Sequence, residues 1–253
     1  MKLQFDYLQG PVLGHKRRCE SLMQVARECG HQIVDDEPDW LIVDYPTSQV
    51  PAWDGYKRRL LMGTLPQVDT DYAWHPLGKP GKHTLTGIEY LILDPKLELY
   101  KKHPKRNWFF VTCGGADPLN LTPRLLRLLP TDTKVYYNCV VIGINFQHKI
   151  EIPDGWQVLY APDSTKMLDN MAQYRTVICA WGNTAFEASY LGCRVLPIPT
   201  CVEHVSEILR FGLEPVLLDQ LDLLPQKLLE PARYVSVDLL GAKRLLRALD
   251  DQT

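Results

Sequence analysis

TVICAWGNTAFEASYLG, residues 176 to 192, is the stretch whose reading decides the fold. Thr176 to Trp181 are β-branched or bulky residues of the kind a doubly buried strand uses, and Thr184 to Tyr190 form a good helix after Gly182-Asn183. A strand that enters a helix through one short turn is the repeating unit of a parallel sheet covered by helices. The junction leaves unpaired N–H groups and the positive end of the helix dipole at the strand's carboxyl end, which suits a phosphate or diphosphate. Such junctions also occur without any ligand, so the functional reading depends on what stands beside it.

The same alternation extends in both directions. Upstream, strands are expected at Trp108–Cys113, Lys134–Ile142 and Gln157–Tyr160, with helices at about Leu119–Leu129 and Ser164–Tyr174. Downstream come a strand at Arg194–Ile198, a helix at Val202–Phe211, a strand at Pro215–Leu218 and an amphipathic helix at Leu239–Leu249. The first hundred residues read similarly: strands at Leu3–Leu8, His31–Val34, Trp40–Asp44 and Leu65–Val68, a loop at Gly10–Gly14, and a helix at His15–Cys29 closed by Gly30. Pro51-Ala52-Trp53 starts a helix running to about Met62. Asp69 to Gly87 loses periodicity and reads as an irregular loop, Tyr90–Leu93 as a strand, and Leu97–Arg106 as a polar linker. The expected fold class is α/β, two doubly wound Rossmann-like domains facing across a cleft. The domains are residues 1–105 and 106–253, and the final helix can pack back on the first domain.

Composition narrows the classes. At 253 residues, with 45% hydrophobic and 23% charged residues and a net charge of −2, the chain reads as a soluble globular protein with no general case for nucleic acid or membrane. Met1 to Leu8 carries Lys2 and Asp6 and lacks the apolar run of a signal peptide, and no window approaches a membrane span, so a cytoplasmic location is expected. The seven cysteines stand singly at 19, 29, 113, 139, 179, 193 and 201, which indicates neither a disulfide framework nor a zinc site.

A second glycine turn, FFVTCGGADPLNLT at 109–122, follows a strand with Gly114-Gly115, where backbone can approach a ligand closely, and Asp117-Pro118 can cap and start a helix. It is neither the dinucleotide fingerprint nor a Walker loop. His15 lies after the first strand at the start of the first helix, beside Lys16, Arg17 and Arg18. A helix N-terminus disfavours imidazolium, so the ring can serve as a general base, although a lone histidine is often structural. Glu187 is four residues beyond Asn183, one turn beneath the junction, where a carboxylate can bind ribose hydroxyls or simply favour the helix dipole. Asp69-Thr70-Asp71 is a DxD that arises easily by chance and is treated as background.

Together these pieces resemble the GT-B superfamily, in the branch holding the hydrolase of UDP-2,4-diacetamido-2,4,6-trideoxy-β-L-altrose and the MurG-type glycosyltransferases. Gly14-His15-Lys16-Arg17-Arg18-Cys19 looks like that branch's Gly-His-x-x-Arg-Cys, and VTCGGADPLNLT is close to its Gly-Gly-x-Asp-Pro-x-Asn turn. Leu85 to Tyr90 with Leu93-Asp94-Pro95 looks like the segment entering the second domain. KMLDNMAQYRTVICAWGNTAFEASYLG resembles the run ending in Gly-Ser-Thr-x-x-Glu, with Asn183 in place of Ser. Departures are Pro11-Val12-Leu13 before the Gly-His, Asp94 in place of Arg, and Glu203-His204 in place of Asn-Gln.

The resemblance implies a UDP-sugar donor held by Gly114, Gly115, Asp117, Asn120, Gly182, Asn183, Thr184 and Glu187. It also implies His15 as the base, Gly14, Lys16 and Arg18 on the acceptor side, and no metal or other cofactor. The expected activity is inverting transfer of a sugar to an acceptor hydroxyl. The alternatives are hydrolysis of the nucleotide sugar by water, and nucleotide-sugar binding without turnover. An anionic acceptor such as hydroxylated nucleic acid would be compatible with the basic groups Lys16–Arg18, Lys57–Arg59, Lys79, Lys82 and His83.

Overall fold

The structure, a computed structural model, describes residues 1–8, 13–45, 58–63, 71–78, 80–105, 107–130 and 137–252. In chain order it holds β1 (Lys2–Tyr7), α1 (Leu13–Glu28), β2 (Gln32–Ile33), β3 (Trp40–Asp44), β4 (Arg59–Met62), β5 (Asp71–Trp74), β6 (Thr84–Leu85) and α2 (Leu97–Tyr100). Then follow β7 (Asn107–Thr112), α3 (Leu121–Leu128), β8 (Asn138–Ile142), β9 (Trp156–Tyr160), α4 (Ser164–Met171), β10 (Tyr174–Ala180) and α5 (Asn183–Tyr190). The chain closes with β11 (Arg194–Ile198), α6 (Val202–Arg210), α7 (Leu224–Lys227) and α8 (Gly241–Asp250). It divides into two compact units, Met1–Pro95 with Asp238–Thr253, and Lys96–Val237.

Each unit is built on one parallel sheet. The first has the order β2-β1-β3-β4-β5-β6 and the second β11-β10-β7-β8-β9. Strands buried on both faces need apolar residues at successive positions, which explains the runs WLIVD in β3 and NCVVI in β8, buried throughout. In the first unit Trp40, Ile42 and Leu60 pack beneath Leu22 and Val25 of α1 and Leu245 and Leu249 of α8, while Leu41, Val43 and Leu61 fill the opposite face. In the second, Val111, Val140 and Ile178 pack against Leu121 and Leu125 of α3. No helix among the described residues is long and apolar enough to cross a membrane.

Several expectations are corrected. Arg59–Met62 is a strand and not the end of a helix, because a short buried run, here Arg59 and three apolar residues, reads alike in either state; residues 51–57, its expected start, lie outside the described residues, as do Leu65–Val68. The stretch 69–87 contains β5 and β6, short strands at the sheet's edge that leave too few residues for a period to show. Tyr90–Leu93 forms no strand: a 3₁₀ turn at Ile88–Tyr90 leads into Leu91, Ile92 and Leu93, whose apolar character serves burial. Pro215–Leu218 also forms none; the Val216 amide donates to Pro197 O at 2.9 Å and a 3₁₀ helix follows at Leu218–Leu223. The expected polar linker opens with α2, whose Leu97 is buried.

The start of α8 lies so close to the chain at Leu91 that a Cβ on Gly241 would stand 1.9 Å from Leu91 O. Arg244, one turn on, donates to Glu89 O at 3.0 Å and grips Asp238 through both Nη atoms at 2.8 and 2.7 Å. At an open helical site Gly→Ala gains up to about 1 kcal/mol. Here Gly241→Ala is expected to lose about 1–3 kcal/mol through overpacking. Urea denaturation measures it, and an unchanged or raised midpoint would refute the contact.

Candidate functional site

In the second unit the chain leaves β7 to add β8 and β9 on one side, then returns to add β10 and β11 on the other. Strand order therefore reverses between β7 and β10, and a crevice opens beyond their carboxyl ends. The register Thr112 to Cys179 sets those ends level, so the turn at Gly114-Gly115 and the turn at Gly182 flank one crevice. Gly114 has φ 86 and Gly182 has φ 157 with ψ −164, conformations that glycine takes at low cost. A Cβ on Gly114, Gly115 or Gly182 would meet nothing within 4 Å. Open space, not internal packing, lies in front of these glycines. No side chain caps α5, and Asn183, Thr184 and Glu187 are half-buried on its first turns.

Asp117 is buried, at 1% exposure, and its two carboxylate oxygens accept from the Leu121 and Thr122 amides at 2.9 and 2.8 Å. It thus holds the start of α3, although the helix begins three residues later than Pro118 suggested. Asn120, left-handed at φ 52, is the cap position and is exposed without a side-chain capping bond. His148 Nε2 donates to Asp117 O at 2.8 Å. Burial, reinforced by Asp117, pushes the Cys113 thiol up to about 12, and burial also raises Cys179, so the thiols under the crevice stay protonated. Beyond β11, the Thr200 amide donates to His204 Nδ1 at 3.2 Å, which leaves the proton of a neutral His204 on Nε2.

Gly143 was not singled out from the sequence. A Cβ there would lie 2.2 Å from Gly115 O, and the Asn145 amide donates to the same oxygen at 2.9 Å. The end of β8 thereby braces the Gly114-Gly115 turn. Its only sequence signal was a glycine directly after a buried strand, VVIG. Ile144 and Tyr160, 59% and 68% exposed, present apolar surface at the ends of β8 and β9.

In the first unit strand order reverses between β1 and β3, and His15 of α1 stands beyond that point. Its Nδ1 is 2.6 Å from Oδ1 of Asp44, the last residue of β3, whose side chain is 0% exposed. Arg18 grips the same carboxylate with a fork, Nε to Oδ2 at 2.8 Å and Nη2 to Oδ1 at 2.5 Å, and the Cys19 thiol donates to Oδ2 at 3.6 Å. Burial, then the Asp44 charge, raises the Cys19 thiol far above its ordinary value. Asp44 escaped the sequence reading; a carboxylate closing an otherwise apolar buried strand at its ligand-facing end was the available signal. Gly14 is exposed, and Lys16 pairs with Glu20 at 3.8 Å. Of the basic groups, Arg18 and Arg59 are turned inward, while Lys57 and Lys79 lie outside the described residues. Asp69 and Thr70 lie outside them too, and Asp71 opens β5.

No protein-family model matches the chain. Over 140 residues it is 31% identical to an uncharacterized protein of Methanocaldococcus jannaschii, MJ1062, an overlap of 49% of this chain and 28% of that protein. The chain thus spans little more than a quarter of that relative's length. Among solved structures it is similar to the spinosyn rhamnosyltransferase SpnG, at 13% identity and TM-score 0.54 over 100% of this chain and 96% of the other. It is also similar to a UDP-GlcNAc 2-epimerase from Neisseria meningitidis bound to UDP-GlcNAc, at 9% identity and TM-score 0.59 over 99% and 100%. The lipopolysaccharide glycosyltransferase WaaG matches at 11% identity and TM-score 0.54 over 99% and 95%. At these identities the likeness is one of fold, and the fold is the α/β GT-B type, two Rossmann-like units each carried by a parallel sheet.

Proposed function

We propose that the chain is a glycosyltransferase that moves a sugar from a UDP-sugar to an acceptor hydroxyl with inversion. The observation that carries this reading is the pair of glycine turns at one strand-order reversal, Gly114-Gly115 and Gly182, beside the uncapped start of α5. Backbone N–H groups and the helix dipole there would take the diphosphate, and Glu187 the ribose hydroxyls. The exposed apolar surface of Ile144 and Tyr160 on the same edge suits the base. Asp117 acts from beneath by fixing α3, and Asn120 is the exposed polar group at its start.

The base is assigned to His15. An ionised Asp44 can only accept, so the shared proton sits on Nδ1 and the neutral ring offers its lone pair at Nε2. Nε2 would take the acceptor's hydroxyl proton as its oxygen bonds to the anomeric carbon. The bond from that carbon to the diphosphate oxygen would break on the opposite face, and UDP would leave with the electron pair, stabilised by the N–H groups that bound it. Asp44 acts through His15, as a positioning residue. Donor on the second unit and base on the first are both part of the proposal, which calls for no metal or other cofactor.

Water in place of the acceptor hydroxyl would make the same site a nucleotide-sugar hydrolase, the reading favoured by the likeness of Gly14 to Cys19 to the hydrolase branch. Release of free sugar from UDP-sugars in buffer, against transfer across an acceptor panel, separates the two. Calorimetric UDP binding with no turnover in either assay would identify a binder instead.

Two outcomes test the assignment. His15→Ala should lower kcat/KM by about 10²–10⁴ while UDP affinity is kept, as for loss of a general base; full turnover by the folded variant would remove His15 from the mechanism. Gly115→Ala should leave folding stability within about 0.5 kcal/mol, since its Cβ meets nothing. It should weaken UDP at least about tenfold, or about 1.4 kcal/mol, by filling the space a diphosphate needs. Calorimetry giving wild-type UDP affinity would contradict the donor site.

A further inference from the structure

Arg18 lies three residues from His15, and the resemblance implied that it faces an acceptor. In the structure its side chain is turned inward, 16% exposed. Its guanidinium binds both oxygens of the buried Asp44 carboxylate, at 2.8 Å through Nε and 2.5 Å through Nη2, and Nη2 stands 3.5 Å from His15 Nδ1. The guanidinium lies over the ring of Trp74, 4.9 Å from its centroid. Trp74 is 2% exposed, and its Nε1 donates to Tyr90 O at 2.6 Å. At the end of β4, Gly63 lies beside Nη2; a Cβ there would be in ordinary contact with it at 3.9 Å.

We propose that Arg18 is a positioning residue whose planar fork, held between Asp44 and Trp74, fixes the Asp44 carboxylate in the one rotation that receives His15 Nδ1–H. A carboxylate on a strand end has a broad terminal torsion, and a single hydrogen bond from the ring does not fix it. Two parallel N–H bonds from a rigid plane do, and a lysine, a point charge on a flexible stem, cannot replace them. The chain Trp74–Arg18–Asp44–His15 then sets where Nε2 points, so geometry and not the positive charge alone is what Arg18 contributes. The inference rests on the reading of His15 as a base, and its structural half is testable without any substrate.

The test uses the full chain. In wild type, nitrogen-edited NMR should show a downfield His15 Nδ1 proton, assigned by its loss in His15→Gln, and a slowly exchanging Arg18 Nε proton. An Arg18 Nε proton exchanging as fast as a free arginine's would overturn the proposal with no variant needed. Arg18→Lys keeps the charge and loses the fork. It should broaden or erase the His15 resonance and lower kcat about ten- to a hundredfold, as for a supporting residue that lets a reacting group drift, with KM for the UDP-sugar unchanged. If Arg18→Lys does not fold, the exchange rate of the wild-type Arg18 Nε proton decides the proposal. A folded Arg18→Lys with wild-type resonance and kcat would show that charge suffices and sink the proposal while leaving His15 as the base. Absence of the His15 resonance in wild type would remove the His15–Asp44 pair itself. Intact resonances with no transfer or hydrolysis of any UDP-sugar would fail the functional reading and leave the fork standing.

Discussion

A parallel sheet that grows first to one side of its opening strand and then to the other must leave a gap where the direction changes. Helices departing from the two strands at that point go to opposite faces, so nothing covers the strand ends between them. Both units here have such a reversal, between β1 and β3 and between β7 and β10. The glycine turns at 114–115 and 182, and His15 and Asp44, each follow a strand into one of these gaps or close a strand beside it. The connectivity of the strands, more than any single side chain, decides where backbone N–H groups and polar side chains are left to face a ligand.

The two gaps are furnished differently. In the second unit the lining is backbone: glycines with open space before them, braced from behind by Gly143 and by the Asp117 cap. Such a surface offers backbone N–H groups to receive an acid. In the first unit the lining is a charge taken out of water. Asp44 at 0% exposure accepts from His15, Arg18 and Cys19, and removal of one partner from a buried ion pair of this kind costs about 3–5 kcal/mol. The ring of His15 is consequently anchored at its Nδ1.

Much of this was legible in the sequence, for physical reasons. Strands buried on both faces and bounded by glycine, as at 107–115 and 174–182, announce themselves as apolar runs with a stop. The amphipathic α8 does so through its spacing. Arg59–Met62 fails the same test because three apolar residues after an arginine fit a strand and a helix turn equally well. The strands β5 and β6 vanish inside a stretch rich in glycine and proline. Asp44 and Gly143 left only a faint local signal, for a different reason. The partner of Asp44 lies 29 residues away, and the crowding at Gly143 comes from Gly115 on a neighbouring strand. Both facts belong to the assembled sheet and not to any window of sequence. Asp117 shows a middle case: its capping chemistry was foreseen, but the left-handed Asn120 delays the helix.

The central claim is that the gap between β7 and β10 holds a nucleoside diphosphate. Amide hydrogen exchange on the full-length protein, with and without saturating UDP, tests it most directly, because bound oxygens must occupy the N–H groups concerned. The account predicts slowed exchange at residues 114–116 and at 183–185, the two turns that flank the gap. Unchanged exchange at both turns under saturating UDP, or protection confined to other segments, would contradict it.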